Sequence, residues 1–430
     1  MTSEKDGMAL DRRQAVLGGA ALAGTAVSGR AFGKAATASL TGPALYADVK
    51  AYADLGEHRT GTSGDQATTR WMVQALKRAR YQVETQGFDY PVFEVGHCAV
   101  EVAGQTLEGF PYWTPTTTPP GGAKAPLSTT AGPGRVALVS LANGGSGGGL
   151  YQPPPKEIVQ AAESGAAAVV VVTENPLGEL VAFNRAPLAA AWKAPVIFVA
   201  GRHKALLQGV AGDGGAVTVR LEGRSVPGRA DNVIARKPGK GKALVVSTPK
   251  SGWFHCAGER GSGIAIWLGL ARWLATTEMN VVLLAASGHE FDGYGGARFA
   301  KALAPKPAET ALWVHIGANV ALYDFALRDG RIVRESGVPR QRILAVSEPL
   351  LPAAAKAFAG QVGYERPFDI DKQKAPGEIA HYQELGYGPL VGMVAASAVF
   401  HTRRDLPDVT GPELLEPVAR GLASLIADAA

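Results

Sequence analysis

The sequence predicts an α/β fold with a mostly parallel central sheet, helices on both faces of that sheet, and a small inserted α/β domain. From residue 231 onward, short apolar runs typical of buried strands alternate with segments of helical periodicity, which places helices on both sides of parallel strands. Pro- and Gly-rich joints bracket a second, smaller set of strands and helices. The chain has 430 residues, of which 46% are hydrophobic, so it can bury more than one core.

The N-terminal residues predict export. Asp11-Arg12-Arg13-Gln14 precedes a stretch of apolar and small residues at 15–27, and Ala36-Thr37-Ala38 offers a cleavage site. The stretch is too short to cross a bilayer, which takes about 20 residues. Because the pattern resembles a twin-arginine signal, we exclude residues 1–38 from the fold. The mature protein is expected to be periplasmic or secreted, with no stable transmembrane segment.

Composition divides the rest of the chain into three parts. Residues 40–114 carry a helical pattern at 44–80 followed by strand-like runs, and form the N-terminal part of the main domain. Residues 115–228 open with a stretch rich in Thr, Pro and Gly and form the inserted domain. Its glycine-rich loop at 143–149 lacks the Lys-Ser/Thr ending of a phosphate-binding loop, which favours a flexible loop. Residues 229–430 form the main part of the large domain.

Within the main part, one helix and five strands are predicted. The helix covers residues 262–275 and carries a broad apolar face. The strands cover residues 232–236, 243–248, 280–286, 312–316 and 390–395. The formal net charge is +5, but the one basic cluster, at 236–242, contains no aromatic residues that would stack on bases. We therefore expect no nucleic-acid partner.

Side chains that can bind a metal occur at or near the carboxyl ends of these strands, where open α/β sheets bind their ligands. They are His255, Glu259, His289, Glu290, His315 and His401. Imidazole and carboxylate groups together suit zinc, and also iron, manganese or copper. The chain has two cysteines, which excludes a cysteine-rich zinc site. The sequence therefore predicts a divalent-metal site built from histidine and carboxylate.

Three of the polar residues are candidates for catalysis. His289 can act as a general base toward a metal-activated water, or it can bind the metal itself. Arg260 can bind a carboxylate of the substrate through two parallel hydrogen bonds, or it can pair with Glu259. His315 or Arg260 can stabilise the oxyanion that forms during the attack on a carbonyl.

Several segments resemble the M28 family of zinc aminopeptidases, including members with an inserted protease-associated (PA) domain. The resemblance covers most of the mature chain and implies the zinc-exopeptidase fold for the main domain and a PA-like fold for residues 115–228. The segments are Gly56-Glu-His-Arg-Thr-Gly-Thr-Ser-Gly, Gly165-Ala-Ala-Ala-Val-Val-Val, Asp231-Asn-Val-Ile-Ala-Arg, Gly261-Ser-Gly-Ile-Ala, Ser287-Gly-His-Glu and Phe400-His-Thr-Arg-Arg-Asp.

The same resemblance shows where this chain departs from the family pattern. Pro249 stands in place of the first histidine ligand, and His289 stands in place of the general-base glutamate. The family's bridging aspartate is replaced by Glu259 and a further aspartate ligand by His315, while two ligand positions are retained as Glu290 and His401. The resemblance thus implies one metal, most simply zinc, as in the similar glutaminyl cyclase branch. Two ligand sets stay open: Glu259, Glu290 and His401, or His255, Glu290, His315 and His401.

Three functions follow from this reading. The first is a metal-dependent hydrolase of the M28 peptidase type that cleaves a peptide or amide bond in a small substrate. The second keeps the metal but uses it for cyclisation or elimination. The third is a binding protein without catalysis on a peptidase fold, because the first ligand and the general base are both replaced.

Overall fold

The computed structural model describes residues 38–113, 115–141 and 154–429. The predicted export signal, apart from Ala38, and the glycine-rich loop at 143–149 lie outside these described residues. None of the described helices is both long enough and apolar enough to cross a membrane.

Strands and helices alternate along most of the chain. The strands are β1 Gln82–Asp89, β2 Val92–Val102, β3 Gln105–Pro111, β4 Ala123–Ser128, β5 Val136–Leu141, β6 Ala168–Thr173, β7 Val196–Ala200, β8 Ala216–Val226, β9 Arg229–Lys237, β10 Lys240–Pro249, β11 Met279–Ala286, β12 Thr310–Ile316, β13 Phe325–Arg328, β14 Arg331–Arg334, β15 Arg342–Val346, β16 Phe368–Asp369 and β17 Leu390–Ala395. The helices are α1 Gly42–Ala53, α2 Ser63–Arg78, α3 Lys156–Glu163, α4 Lys204–Gly212, α5 Ser262–Leu274, α6 Tyr294–Ala302, α7 Leu351–Ala357, α8 Ile379–Glu384 and α9 Pro412–Ala429.

The central sheet is mixed, with a parallel centre. Its eight strands lie in the order β1-β9-β11-β10-β12-β17-β15-β16. The neighbours β11, β10, β12 and β17 run parallel to one another, whereas β9 and β15 pair antiparallel with the strands at the two sides of this centre. All five strands predicted for residues 229–430 are present, and the prediction of a mostly parallel sheet holds for the centre. The carboxyl ends of the four parallel strands therefore meet at one edge.

Helices cover both faces of this sheet, as predicted. Along β10, Leu244 and Val246 belong to one hydrophobic core together with α5 and α9, while Val245 belongs to a second core on the opposite face. Alternate residues of a strand point to opposite faces, so a strand that is apolar at every position is buried on both. Burial of this kind fixes the strand ends firmly, and loops that leave those ends can position functional side chains.

The helix predicted at 44–80 is two helices separated by a loop. α1 ends at Ala53, and Gly56, three residues later, has a φ of +97°, which turns the chain in a way that a helix cannot follow. The loop from residue 54 to 62 then runs to the edge of the central sheet, where the backbone N–H of His58 donates to the carbonyl oxygen of Phe254. The helical pattern is interrupted because a glycine in this conformation cannot continue a helix.

A separate closed barrel lies between β1 and β9. It consists of seven strands in the order β2-β3-β7-β6-β5-β4-β8, and we call residues 92–226 the barrel module. The predicted insertion began at residue 115, but the barrel begins at Val92, because β2 pairs with β8 from Val92 to Glu101 and β3 pairs with β7. The alternating segment 93–110, assigned from its sequence to the main domain, thus forms part of the barrel.

His58 gives the fold a pH-dependent contribution to stability. Its ring stacks on Tyr52 at 3.7 Å between centroids, and its Nδ1 lies 2.9 Å from Thr68 Oγ1. Burial, with smaller contributions from His255 and Lys250, lowers the pKa of His58 to about 3. In the unfolded chain, His58 therefore binds a proton as the pH falls through about 6.5, whereas in the folded chain it stays unprotonated until the pH approaches about 3.

The expected result is a loss of stability as the pH falls from about 6.5 toward 3, at no more than about 1.4 kcal/mol per pH unit from this group. His58→Phe should flatten this part of the dependence of the unfolding free energy on pH, measured by urea denaturation. His97 is exposed, so His97→Asn should leave the slope unchanged. An unchanged slope in His58→Phe would contradict the assignment.

Candidate metal centre

A pocket of about 500 Å³ opens at the carboxyl edge of the central sheet. Its walls combine apolar side chains from the ends of β15 and β17 with a small group of charged and polar residues. The polar group consists of Arg260, His289, His315, Gln341 and Glu378. A concave site with an apolar lining and a few converging polar groups has the composition of a small-molecule site.

Glu259 lies in a tight turn that precedes α5. The turn covers Ala257–Gly261, and the carboxylate of Asp405 accepts hydrogen bonds from the backbone N–H groups of Gly258 (2.6 Å) and Glu259 (2.9 Å). The Glu259 side chain is completely buried. Burial raises the pKa of its carboxyl group, but Arg260, His401 and His289 outweigh burial and lower that pKa to about 2. Glu259 is therefore an ionised carboxylate inside the protein.

Two histidine rings approach Glu259 from loops that follow β11 and β17. His289 begins a short 3₁₀ turn, His289–Phe291, directly after Gly288, whose φ of +89° turns the chain sharply at the end of β11. His401 has a φ of +56°, in the left-handed region, and its Nε2 lies 3.0 Å from Glu259 Oε1. One ligand atom each from Glu259, His289 and His401 can be chosen such that all lie within 4.8 Å of one another.

The other nitrogen of each ring is held by a hydrogen bond. His289 Nδ1 lies 2.8 Å from Glu378 Oε1, and His401 Nδ1 lies 2.8 Å from the carbonyl oxygen of Ala182. Because both partners are acceptors, each Nδ1 donates, and in the neutral form of either ring Nε2 presents a lone pair. A carboxylate or carbonyl on the far nitrogen is the arrangement that orients histidines bound to a metal. The carbonyl of Ala182 belongs to the barrel module, which thus fixes one ring of the cluster.

The side chains that converge here have unused hydrogen-bonding capacity. Within the described part of the chain, Glu259 Oε2, His289 Nε2 and His401 Nε2 are buried and make no hydrogen bond of good geometry, although His401 Nε2 lies 3.0 Å from Glu259 Oε1. Burying acceptors without donors costs about 1–3 kcal/mol each. A divalent cation would satisfy one carboxylate oxygen and two imidazole lone pairs together, and this donor set suits zinc. The cluster therefore fits a single metal ion.

Arg260 adds a fixed positive charge beside the cluster. Its Nη2 donates to Glu259 Oε1 at 2.6 Å, and its Nε donates to the carbonyl oxygen of Ser251 at 3.0 Å. Burial opposes the charge of the guanidinium, but the carboxylates of Glu259 and Glu378 more than compensate and raise the pKa of Arg260. The guanidinium therefore bonds to Oε1 of Glu259, which leaves Oε2 to bind a metal.

Glu378 joins two histidines, and it was missed among the site residues predicted from the sequence. Its Oε1 accepts from His289, and its Oε2 lies 3.3 Å from His315 Nε2. The far nitrogen of His315 contacts Ser247 Oγ at 2.9 Å, and Trp313 Nε1 donates to the same oxygen. Burial raises the pKa of Glu378, but His289 and His315 outweigh burial and hold that pKa well below its usual range. His315 is thus linked to His289 through the Glu378 carboxylate.

Comparison with solved structures identifies the architecture. The chain superimposes on a peptidase M28 precursor from Shewanella amazonensis with a TM-score of 0.72 at 16% identity, covering 91% of this chain and 93% of that one. A zinc aminopeptidase from Bacillus subtilis gives a TM-score of 0.68 at 15% identity, with 91% and 95% covered. The fold is that of the zinc aminopeptidases. The sequence itself matches no protein-family model and no curated protein.

Two residues that the sequence predicted as ligands, Glu290 and His255, lie outside the cluster. The Glu290 carboxylate accepts hydrogen bonds from Thr60 N and Thr60 Oγ1, both at 2.9 Å, and from Ser251 Oγ at 2.6 Å. With three donors on its two oxygens, Glu290 ties the 54–62 loop to the end of β11. His255 belongs to neither of the two groups of potential ligands found in the described residues. Both ligand sets derived from the sequence therefore differ from the cluster, which contains Glu259, His289 and His401.

The replaced ligand position beside Pro249 is filled by a structural ion pair. Lys250 and Asp65 are both fully buried, and Lys250 Nζ contacts Asp65 Oδ1 directly. The Asp65 carboxylate also accepts from Ser287 Oγ at 2.7 Å and from the backbone N–H of Gly61 at 2.9 Å. The ammonium group thus joins α2 to the end of β10.

Proposed function

We propose that this protein is a hydrolase that cleaves a peptide or amide bond in a small substrate with the help of one bound divalent metal, zinc being favoured. One observation carries the proposal: Glu259, His289 and His401 form one compact group, in which Glu259 Oε2, His289 Nε2 and His401 Nε2 are buried and make no hydrogen bond of good geometry within the described residues. His289 and Arg260 also line the pocket, so the cluster borders the space that a substrate would occupy. The aminopeptidase fold supports the reaction class by analogy.

In this proposal, Glu259, His289 and His401 hold the metal. When bound, the metal would polarise a carbonyl group and lower the pKa of water. His289 then serves as a ligand rather than as the general base, because its Nε2 is directed into the cluster and its Nδ1 is held by Glu378. Glu378 fixes the orientation of that ring and supports the basicity of its free nitrogen.

We assign the proton-accepting role to Glu378. It lines the pocket beside His289, and its lowered pKa keeps it ionised at neutral pH. A carboxylate has about four lone-pair positions, so Glu378 can serve both histidines and still accept the proton that attacking water loses. The same proton can then be transferred to the leaving amine. His315, which shares the carboxylate, and Arg260 are placed to stabilise negative charge on the substrate oxygen.

The test is Glu378→Gln, assayed on aminoacyl anilides, dipeptides and tripeptides at saturating zinc. Loss of a positioned proton acceptor is expected to lower kcat/KM by about 10²–10⁴-fold. Loss of the bond to His289 is expected to weaken zinc binding by about 10–100-fold. Glu384→Gln is a matched control, since Glu384 is 60% exposed and pairs with Lys374 at the surface. Absence of turnover by the zinc-loaded wild type across the substrate set would contradict the proposed hydrolase.

A second candidate is a binding protein without catalysis. The observation that favours it is the Arg260 guanidinium, which already bonds to Glu259 Oε1 at 2.6 Å and competes with a metal for that carboxylate. In that case the pocket would bind its ligand through fixed charges alone. The same assay separates the two candidates, because a binding protein would show ligand affinity but no turnover with any added metal.

We also propose that the barrel module is the counterpart of the PA domain found in relatives of this fold. Its position between β1 and β9 and its content of strands and two helices support this assignment. The carbonyl group of Ala182 orients His401, so the module would contribute directly to the metal site. Removal of the module should therefore abolish metal binding.

Export by the twin-arginine route is likewise a proposal. It rests on Arg12-Arg13 and the apolar stretch after them. Replacing both arginines by lysine should leave the protein in the cytoplasm, as measured by cell fractionation.

A further inference from the structure

The Arg260 side chain has hydrogen-bonding capacity that the protein does not use. A guanidinium carries five N–H donors. Nε bonds to Ser251 and Nη2 bonds to Glu259, whereas Nη1 is buried and has no partner among the described residues. Arg260 is 1% exposed, and it is one of the residues that line the pocket.

An unused donor on a buried cation is costly. Leaving a buried charged donor unpaired costs more free energy than leaving a neutral donor unpaired. Such a donor is best satisfied by an anionic acceptor, and guanidinium groups match carboxylates in both shape and charge. The pocket carboxylate, Glu378, is engaged by His289 and His315 instead. The partner of Nη1 is therefore to be sought in a ligand.

The other residues that line the pocket indicate the chemistry of the rest of that ligand. Apolar side chains form much of its wall, among them Ile343, Met393, Val394 and Phe400. A volume of about 500 Å³ lies within the range of roughly 300–1,000 Å³ that holds small ligands. The pocket thus suits a molecule with an apolar body and a single anionic end.

We propose that Arg260 binds a carboxylate of the substrate through Nη1, so that the substrates of this site are small acyl amino acids or short peptides with an apolar side chain and a free carboxylate. This inference deepens the proposed function and rests on it for the reaction. The recognition step itself is carried by the pocket and by Arg260.

The test compares matched pairs of probes that differ in charge alone. The probes are N-acetyl-alanine, N-acetyl-leucine and N-acetyl-phenylalanine, each as the acid and as the neutral amide. Binding is measured by calorimetry on the protein as purified, for the wild type, Arg260→Lys and His401→Ala. Arg260→Lys preserves the charge beside Glu259 but loses the planar fork, and its thermal unfolding is recorded to confirm that it folds.

The expected result is that at least one acid binds the wild type ten times or more tightly than its amide. This preference should persist in His401→Ala, which lacks a metal ligand, and should fall at least tenfold in Arg260→Lys. Equal binding of acid and amide, binding of no acid, or a preference retained in Arg260→Lys would overturn the inference. A preference lost in His401→Ala but retained in Arg260→Lys would assign the carboxylate to the metal, which overturns this inference while supporting the hydrolase.

Discussion

His401→Ala is expected to remove the bound metal. The wild type should carry one zinc per chain after purification, and the variant should carry less than about one tenth of that amount, because the cluster loses one of three ligands. Loss of an outer-shell partner already costs about 10–100-fold in affinity, so loss of a direct ligand should cost more. Metal content is measured by elemental analysis, and hydrolysis should fall in proportion to the metal lost.

Glu290→Gln is the matched control for this prediction. Glu290 follows His289 directly, but its carboxylate is bonded to Thr60 and Ser251, so this variant should keep one metal per chain. The isosteric amide should lower stability by about 1–2 kcal/mol, since at least one strong hydrogen bond to a charged group is weakened. Loss of metal in Glu290→Gln together with retention in His401→Ala would reverse the ligand assignment.

Lys250→Met is expected to produce the largest loss of stability. The variant leaves the Asp65 carboxyl group fully buried without its cation, and breaking a buried pair in this way costs about 3–5 kcal/mol. Urea denaturation gives the free energy of unfolding. Asp65→Asn in the Lys250→Met background should restore part of the loss, since the amide is uncharged, its oxygen can still accept from Gly61 N–H, and its NH2 group can donate to Ser287 Oγ.

A surface ion pair supplies the comparison for the buried one. Lys240 pairs with Glu278 at 2.6 Å, but both side chains are about four-fifths exposed, at 82% and 78%. Lys240→Met should change the free energy of unfolding by less than about 1 kcal/mol. Equal effects of Lys240→Met and Lys250→Met would contradict a structural role for the Lys250–Asp65 pair in joining α2 to the end of β10.

The sequence predicted the scaffold of the site well because hydrophobic patterns report burial. Strands β11 and β17 are apolar at nearly every position, and β10 and β12 contain continuous apolar runs at 243–246 and 311–314, which is how strands covered on both faces are recognised. Once these strands are parallel, the residues that follow them must meet at one edge. His289 and His401 are together in the structure for this reason, and Glu259 joins them from the turn before α5.

The ligand set itself could not be read from the sequence. His289 and Glu290 are adjacent in a 3₁₀ turn, so their side chains leave in different directions, and only one of them reaches the cluster. Which one does so depends on Thr60 and Ser251, which hold Glu290 away. Thr60 lies in a loop that the helical pattern of residues 44–80 concealed.

The hydrogen-bond partners of His289 and His401 could not be predicted from the sequence either. Glu378 precedes a short helix, α8, and nothing in its neighbourhood marks it as a partner of histidines far away in the sequence. The acceptor for His401 is the backbone carbonyl of Ala182, and a backbone acceptor can be supplied by any residue type.

The most direct test of the metal centre is anomalous diffraction from crystals grown with zinc, recorded on both sides of the zinc absorption edge. The metal centre described above predicts one strong peak about 2.0–2.2 Å from Glu259 Oε2, His289 Nε2 and His401 Nε2. No peak at this position, or a peak bound by Glu290 or His255, would contradict it.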